Sequence, residues 1–392
     1  MTAKKGIEVS IAVADAAKLA RGEVVAAYPI TPQTHIVEHL SDIVANGELE
    51  AAYINVESEH SAMSACCGSS AAGARTFTST SAQGMELMHE ILFIASGMRL
   101  PIVMASVNRA LSAPLSIWGD HSDIMAARDT GWIMLFCENG QEAVDLTIMA
   151  FRIAEDRKVL LPVMVNLDGF SLSHVIEPIE LPEQEMVDKF LPPYEPLYTL
   201  HPDKPVTMGA YGMPEIYTES KYAQEMALAQ SKEVIAKVMD KFSKQFGRTY
   251  KLVETYNNDN TDTVFIALGS INENIKTTID ELKEKGKELG LISLRLFRPF
   301  PEEELVAALK GKKKVAVIER VMPAGAANGP LFNEISAIAM RNDLDIHLQN
   351  YIVGLGGRDV VTQEFEGIFE QLSAPKKKNQ KRENFQVIGV RS

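Results

Sequence analysis

Short apolar runs alternate with helical patterns along the first 180 residues of the chain. The runs are rich in β-branched residues and end at turn-forming residues, which is typical of buried strands. They lie at 24–30, 51–56, 76–80, 100–107, 133–137 and 160–167. Because strands that are apolar on both faces and alternate with helices are typical of parallel sheets, we predict a parallel α/β domain.

The pattern changes after residue 177. Seven prolines between Pro178 and Pro205 disfavour long regular elements, and a charged helical segment follows at 219–247. We interpret this region as an ordered connector with one long helix. A second α/β unit begins near Thr263, with strands predicted at 263–270, 291–300, 313–320 and 346–357.

Composition narrows the class of protein. The 392 residues carry a formal net charge of -13, which disfavours nucleic acid and anionic membranes as partners. The first 20 residues resemble the first helix of a domain rather than a signal peptide, and no apolar run is long enough to span a membrane. We therefore expect a cytoplasmic protein of two or three domains.

The cysteines give no sign of a metal centre. Cys66, Cys67 and Cys137 are the only three in the chain, and none has a His or Cys neighbour at metal-ligand spacing. The Asp120-His121 pair also lacks a further ligand at suitable spacing. We expect neither a metal site nor an iron–sulfur cluster on this chain.

Polar residues follow several predicted strands, at the edge of the sheet where parallel α/β proteins bind ligands. After the first strand, Tyr28-Pro29 and Thr31-Pro32 form a stiff turn. The Thr31 hydroxyl either contacts a ligand or caps the next helix. The turn at 81–84 also offers hydroxyl and amide groups to a ligand.

Two charged residues stand at similar positions. Glu59 follows the second strand and begins a helix of small residues. It either stabilises the helix N-terminus or lies in an apolar pocket that raises its pKa for proton exchange. Arg109 follows the strand at 100–107, where it either binds a ligand carboxylate in a bidentate pair or forms a structural ion pair with a nearby Asp.

Several motifs in one order resemble a known family. They are YPITP (28–32), ESEH (57–60), SAAGARTFTSTSAQG (70–84), NRALSAPLSIWGDHSDIMAARDTGW (108–132), LRLFRPFP (294–301) and VGLGGRDV (353–360). The chain is similar to the α subunits of 2-oxoacid:ferredoxin oxidoreductases, in particular those that act on pyruvate. The resemblance implies a pyrimidine-type thiamine diphosphate domain over 1–250, a transketolase C-terminal-like domain over 255–375, and a solvated tail over 376–392.

The resemblance also implies roles for individual residues. Glu59 corresponds to the carboxylate that activates thiamine diphosphate through its aminopyrimidine. Arg109 corresponds to the arginine that holds the substrate carboxylate, and Thr31 to a hydroxyl at the substrate. The residues expected to line the same cofactor cavity are Tyr28, Pro29, Ser81, Gln83 and Gly84.

Part of the family's machinery is missing from this chain. The GDG motif that binds diphosphate through Mg²⁺ does not occur, and its nearest match, Asp168-Gly169, follows Leu167. The resemblance therefore implies that Mg²⁺ and the 4Fe-4S clusters belong to partner subunits of β, γ and δ type. Ferredoxin and coenzyme A would act through that complex, and the thiamine diphosphate would be shared.

The implied reaction is the reversible oxidative decarboxylation of pyruvate with coenzyme A to acetyl-CoA and CO₂, with reduction of ferredoxin. Relatives also act on branched-chain and aryl 2-oxoacids, 2-oxoglutarate and oxalate. Thr31 stands where an arginine would suit oxalate, and the RALSAP and WGDH stretches resemble those of pyruvate enzymes. A branched-chain 2-oxoacid enzyme and a non-catalytic scaffold subunit remain alternatives.

Overall fold

A computed structural model describes residues 3–374 and 384–391. The strands, in chain order, are β1 (Lys5–Glu8), β2 (Val24–Ala27), β3 (Ala52–Asn55), β4 (Thr76–Thr80), β5 (Ile102–Asn108), β6 (Ile133–Phe136), β7 (Val163–Asp168), β8 (Ile176–Ile179), β9 (Val253–Tyr256), β10 (Thr263–Leu268), β11 (Gly290–Leu294), β12 (Leu296–Arg298), β13 (Lys314–Glu319), β14 (His347–Ile352) and β15 (Phe385–Val387). The helices are α1 (Val9–Leu19), α2 (Thr34–Ala45), α3 (Glu59–Ala71), α4 (Ala82–Leu87), α5 (His89–Gly97), α6 (Ser122–Ala126), α7 (Gly140–Ala154), α8 (Gln184–Phe190), α9 (Pro214–Phe246), α10 (Ile271–Glu284), α11 (Glu302–Leu309), α12 (Pro330–Arg341) and α13 (Thr362–Ser373).

The first α/β unit is built on a seven-stranded sheet with the order β12-β6-β7-β5-β4-β2-β3. The strands from β2 to β7 run parallel, and every residue of β4, β5 and β7 is buried. This arrangement confirms the predicted parallel α/β fold. It also makes β5, β4, β2 and β3 neighbours, so the turns after these four strands meet at one edge.

The start of the chain differs from the prediction of a single helix. Residues 5–8 form β1, which pairs antiparallel with β8 of the proline-rich connector, and α1 begins only at Val9. Pro178 can lie in β8 because it is opposite Gly6 in a two-stranded sheet, where one missing N–H is tolerated. A four-residue strand whose partner is about 170 residues away leaves no local pattern to find.

The run predicted as one strand at 291–300 is also different. It is divided into β11, which lies in the second sheet, and β12, which pairs antiparallel with β6 of the first. Arg295 lies at the division, is 2% exposed and forms ion pairs with Glu142 of α7 and Glu254 of β9, at 2.5 and 2.7 Å. These two carboxylates from different parts of the fold hold the chain where it passes from one sheet to the other.

The second unit has a six-stranded sheet with the order β15-β14-β13-β10-β11-β9, parallel except for β9. The tail prediction for 376–392 is wrong at Phe385–Val387, which forms β15 and pairs with Asn350–Ile352. The basic stretch 376–382 lies outside the described residues. The alternation of apolar and polar residues in Phe385–Val387 covers only three positions, which is too short to indicate a strand.

The predicted long helix of the connector is α9. It begins with Pro214 at its first position, which suits the missing N–H, and ends at Gly247 with φ of 77°. Its second half buries Val234, Val238 and Phe242 against the first unit. Among the described residues, no helix is both long and apolar enough to cross a membrane.

Candidate functional site

The turn after β2 is held against the end of β4 by a buried glutamine. The Gln33 side chain donates to the carbonyl oxygens of Tyr28, at 3.2 Å, and Ser79, at 2.8 Å, and accepts from Ile30 N at 3.3 Å. Gln33, rather than Thr31, precedes α2 directly. Sequence reasoning missed Gln33, because a single amide after a proline carries no pattern of its own.

Glu59 is the first residue of α3 and is 6% exposed. The helix cap is Ser58, whose hydroxyl accepts from Ser61 N at 3.3 Å. Glu59 forms no salt bridge within the part of the chain that the structure describes. Burial raises the pKa of Glu59, and its own backbone N–H only partly offsets this effect. The structure thus favours a carboxylate suited to proton exchange over a capping residue.

Gly84 closes the space above this carboxylate. A Cβ at position 84 would lie 2.6 Å from Glu59 Oε1 and 2.5 Å from Thr80 Oγ1, closer than such atoms approach in proteins. Glycine therefore allows α4 to pass directly over Glu59 and Thr80. The turn at 81–84 therefore lies against the Glu59 carboxylate.

Three hydroxyl groups near the end of β4 have no partner. Ser79 Oγ, Thr80 Oγ1 and Ser81 Oγ are buried and make no hydrogen bond to any described residue. Buried hydroxyls are normally paired, so a run of three unpaired ones needs an explanation. A bound polar ligand would provide it, since Thr80 is adjacent to Glu59 and Gly84.

Arg109 lies just beyond β5 and is 6% exposed. Its guanidinium donates to the carbonyl oxygens of Thr31, at 2.7 Å, and Ser116, at 2.9 Å, and to Gln83 Oε1 at 3.3 Å. These bonds bring the turns after β2, β4 and β5 together. They occupy three of the five guanidinium hydrogens, which leaves one on each terminal nitrogen.

The structure does not provide Arg109 with a carboxylate partner. No salt bridge to its guanidinium occurs in residues 3–374 or 384–391, and burial lowers its pKa although Asp123 is near. A buried cation bound only to neutral oxygens can accept a carboxylate from a ligand. The alternative of a structural ion pair with a nearby Asp is therefore wrong, because Asp123 bonds the backbone instead.

Asp123 of α6 is a second residue that sequence reasoning did not single out. One carboxylate oxygen accepts from both Ala82 N and Arg109 N at 2.9 Å, and the other accepts from Ile124 N at 2.7 Å. Burial raises the pKa of Asp123 to about 8, against the opposing effect of these N–H groups. The side chain fixes the backbone of two site turns relative to each other.

The remaining predicted residues are the more exposed ones. Tyr28 is 38% exposed, and Pro29 and Thr31 are also exposed. The carbonyl oxygens of Tyr28 and Thr31 accept hydrogen bonds from Gln33 and Arg109 respectively.

Asp168, the nearest match to a GDG aspartate, belongs to a different network. It accepts from His121 Nε2 at 2.8 Å and from Ser270 N at 2.8 Å, and pairs with Arg320 Nη1 at 2.8 Å. Burial raises the pKa of Asp168, but Arg320 and His121 outweigh burial and hold it well below the usual range. The carboxylate thus joins the two units and is fully paired, which also accounts for His121 without a metal.

Two protein-family models match consecutive parts of the chain. The family model described as "Pyruvate flavodoxin/ferredoxin oxidoreductase, thiamine diP-bdg" matches residues 15–240. The model described as "Pyruvate:ferredoxin oxidoreductase core domain II" matches residues 261–365. The two matches follow each other in the order of the two α/β units.

Among solved structures, 2-oxoglutarate:ferredoxin oxidoreductase from Magnetococcus marinus matches with a TM-score of 0.71 and 20% identity, over 94% of this chain and 65% of that chain. A split-gene transketolase matches with a TM-score of 0.51 and 14% identity, over 94% of both chains. At these identities the likeness concerns the fold alone. It confirms the two-unit α/β class with transketolase-like architecture.

Curated relatives match along almost the whole chain. Pyruvate synthase subunit PorA of Methanocaldococcus jannaschii is 52% identical over 92% of this chain and 92% of its own. Ketoisovalerate oxidoreductase subunit VorA of Pyrococcus horikoshii is 45% identical over 94% of this chain and 93% of its own. Because both family models match in order and full-length relatives share about half of the residues, this chain belongs to the pyruvate:ferredoxin oxidoreductase family.

Proposed function

We propose that this chain is the subunit of a pyruvate:ferredoxin oxidoreductase whose Glu59 activates a thiamine diphosphate shared with a partner subunit. The complex would oxidatively decarboxylate pyruvate with coenzyme A to acetyl-CoA and CO₂ and reduce ferredoxin, reversibly. The observation that carries the proposal is the buried Glu59 carboxylate, which lies beneath Gly84 without a cation. An isolated buried charge is costly to a fold, so it is expected where chemistry needs it.

The residues around Glu59 fit the aminopyrimidine of thiamine diphosphate. Thr80 Oγ1 and Ser81 Oγ are buried without partners among the described residues, beside the point where Gly84 packs against Glu59. When bound, thiamine diphosphate would supply the nucleophilic carbon that 2-oxoacid decarboxylation requires. Glu59 would hold a proton against a ring nitrogen of the pyrimidine, and burial, which raises its pKa, favours that protonated form.

Arg109 is suited to the carboxylate of the substrate. The hydrogens left on its two terminal nitrogens can form a bidentate pair, while bonds to Thr31 and Ser116 fix the plane of the guanidinium. The pair would form in a site that is largely closed to water, where it is stronger than at the surface. The exposed Thr31, whose carbonyl oxygen accepts from Arg109, would offer its hydroxyl to the same substrate.

Partner subunits would complete the site. Asp168 is committed to Arg320 and His121, so it is not available to hold Mg²⁺. The three cysteines are buried and lie on no cluster-binding motif. We therefore assign the diphosphate, Mg²⁺ and 4Fe-4S clusters to chains of β, γ and δ type, which would also receive coenzyme A and ferredoxin.

The test uses the complex reconstituted with its partner subunits under anaerobic conditions. Glu59→Gln should lower pyruvate- and coenzyme A-dependent viologen reduction about 10²- to 10⁴-fold, the range for lost proton transfer. Glu57→Gln is the matched control, since Glu57 is exposed in the same turn and accepts a hydrogen bond from the Ser61 hydroxyl. The proposal is wrong if the Glu59 variant assembles and keeps most of the rate.

A branched-chain 2-oxoacid is the second candidate substrate, because the ketoisovalerate relative is 45% identical. The same complex can be assayed with pyruvate and with 2-oxoisovalerate. We expect kcat/KM to favour pyruvate, and a ratio in favour of 2-oxoisovalerate would reassign the substrate. A scaffold subunit would respond differently, because Glu59→Gln would then alter assembly rather than turnover.

A further inference from the structure

Two histidines and a glutamate meet where the first turn of α2 approaches the β1–β8 strand pair. Glu8 ends β1, His35 lies in the first turn of α2, and His174 precedes β8. One ligand atom from each lies within 4.8 Å of the others. Glu8 Oε1 is 2.6 Å from His35 Nδ1, and the rings of His35 and His174 are 4.5 Å apart at their centroids.

We propose that Glu8, His35 and His174 form a binding site for one divalent transition-metal ion of the zinc class. Two imidazoles and one carboxylate are a ligand set that Zn²⁺ uses in proteins, with a fourth position left for water. The set is distinct from the Glu59 site and uses none of its residues.

The backbone already holds two of the three ligands in place. Val9 N donates to Val175 O at 3.1 Å, and Ser10 N donates to Ser173 O at 2.9 Å. These bonds extend the pairing of β1 with β8 up to the ligand residues themselves. Glu8 and His174 thus lie at one end of a hydrogen-bonded strand pair, β1 and β8. Little backbone ordering would therefore accompany metal binding.

The orientation of His174 suits a metal ligand. Ser173 Oγ lies 2.8 Å from His174 Nδ1 and is itself fixed by Phe170 N, which donates to it at 2.9 Å. If Ser173 accepts the Nδ1 hydrogen, Nε2 is free to bind a metal, the usual arrangement of metal-bound histidines.

The surroundings provide both cover and access. The Phe170 ring packs on His174 at 4.6 Å and on Trp118 at 4.5 Å, forming an apolar cover. The side chains of His35 and Glu8 are 42% and 25% exposed, which leaves a path from solvent. Because His35 follows the turn at 28–33, a bound metal would link that turn to the β1–β8 strand pair.

The experiment uses the full-length chain, free of any histidine tag and treated with a chelator. Calorimetric titration with Zn²⁺ should give one site, and titration with Co²⁺ should give the visible absorption of a tetrahedral complex. His35→Ala and His174→Ala should each weaken Zn²⁺ binding at least about 100-fold, because a two-ligand site remains.

The matched control is His39→Ala. His39 lies one turn further along α2 and contacts Asp15 Oδ1 at 3.2 Å, without a third ligand nearby in the described residues. Its variant should bind Zn²⁺ like the unmodified chain. Glu8→Gln, which preserves shape, replaces either histidine variant that fails to fold by circular dichroism. The proposal would be overturned if the unmodified chain did not bind Zn²⁺. It would also be overturned if the His35, His174 and Glu8 variants bound Zn²⁺ as tightly as the unmodified chain.

Discussion

Two buried carboxylates of the first unit stand in opposite circumstances. Glu59 follows β3 and has no cation partner in the described residues, whereas Asp168 ends β7 and is bonded by His121, Arg320 and Ser270. Burial raises the pKa of Glu59, while the partners of Asp168 hold its pKa well below the usual range. The first arrangement stores a group that can exchange a proton, and the second fixes two units of the fold to each other.

The comparison also explains the division of labour in the proposed complex. A carboxylate that is already neutralised by Arg320 and His121 has no free charge for a metal, so this chain keeps its Asp-Gly sequence for structure. Within the described residues Glu59 and Arg109 form no ion pair, and we propose that both serve ligands. Buried charges without a counter-ion in residues 3–374 and 384–391 are thus the feature on which this site assignment rests.

The largest effect on stability is expected at Asp168. Asp168→Asn should lower the free energy of unfolding by about 3–5 kcal/mol, because it leaves Arg320 and His121 buried without their anion. Chemical denaturation of the isolated chain measures the change. Asp129→Asn, whose side chain is 68% exposed, should change stability by less than about 0.5 kcal/mol. A similarly small change for Asp168→Asn would contradict the stabilising role of its ion pairs with Arg320 and His121.

Arg109 should have the next largest effect, on catalysis. Arg109→Ala should lower kcat/KM for pyruvate roughly 10²-fold. This corresponds to a loss of about 3 kcal/mol in transition-state binding. Arg109→Lys should restore only part of this loss, because an ammonium cannot make the bidentate pair and the bond to Ser116 together. An unchanged kcat/KM in the assembled Ala variant would remove Arg109 from the substrate site.

Gly84 tests the closeness of α4 to Glu59. Gly84→Ala should reduce turnover by about 2 kcal/mol, since its Cβ would displace Glu59 Oε1 and Thr80 Oγ1. Gly68→Ala is the control, because no atom lies within 4 Å of a Cβ there. Steady-state rates of both assembled complexes give the comparison, and equal rates would place the Glu59 carboxylate elsewhere.

The smallest effect concerns the stability of the chain without its cofactor. Glu59→Gln should raise the free energy of unfolding by about 1 kcal/mol at pH 7, since it removes an uncompensated buried charge. The folded pKa of Glu59 is raised, so the gain should be absent below the usual glutamate pKa and grow as pH rises through the folded value. Asp168 has a lowered folded pKa, so its stabilisation should instead disappear as pH falls below about 4. Denaturation of the unmodified chain and both variants across pH 2–8 measures these opposite slopes, and parallel curves would remove the contrast.

The sequence alone predicted the parallel α/β class. The apolar runs at 76–80, 100–107 and 160–167 correspond to β4, β5 and β7, because a strand buried on both faces must be apolar throughout. Arg109, which follows the second of these runs, contacts Gln83 after the first, since parallel strands end together. The missing GDG motif could likewise be read from the residues themselves.

Tertiary structure decided how the charges are used. The pattern could not tell that Ser58 rather than Glu59 caps α3, that Arg109 binds carbonyl oxygens, or that Asp168 meets Arg320. It also could not place β1 beside β8 or divide 291–300 between two sheets. Periodicity along the chain indicates which positions are buried. Ion pairs and strand pairing instead depend on groups that are distant in the sequence, such as β1 and β8.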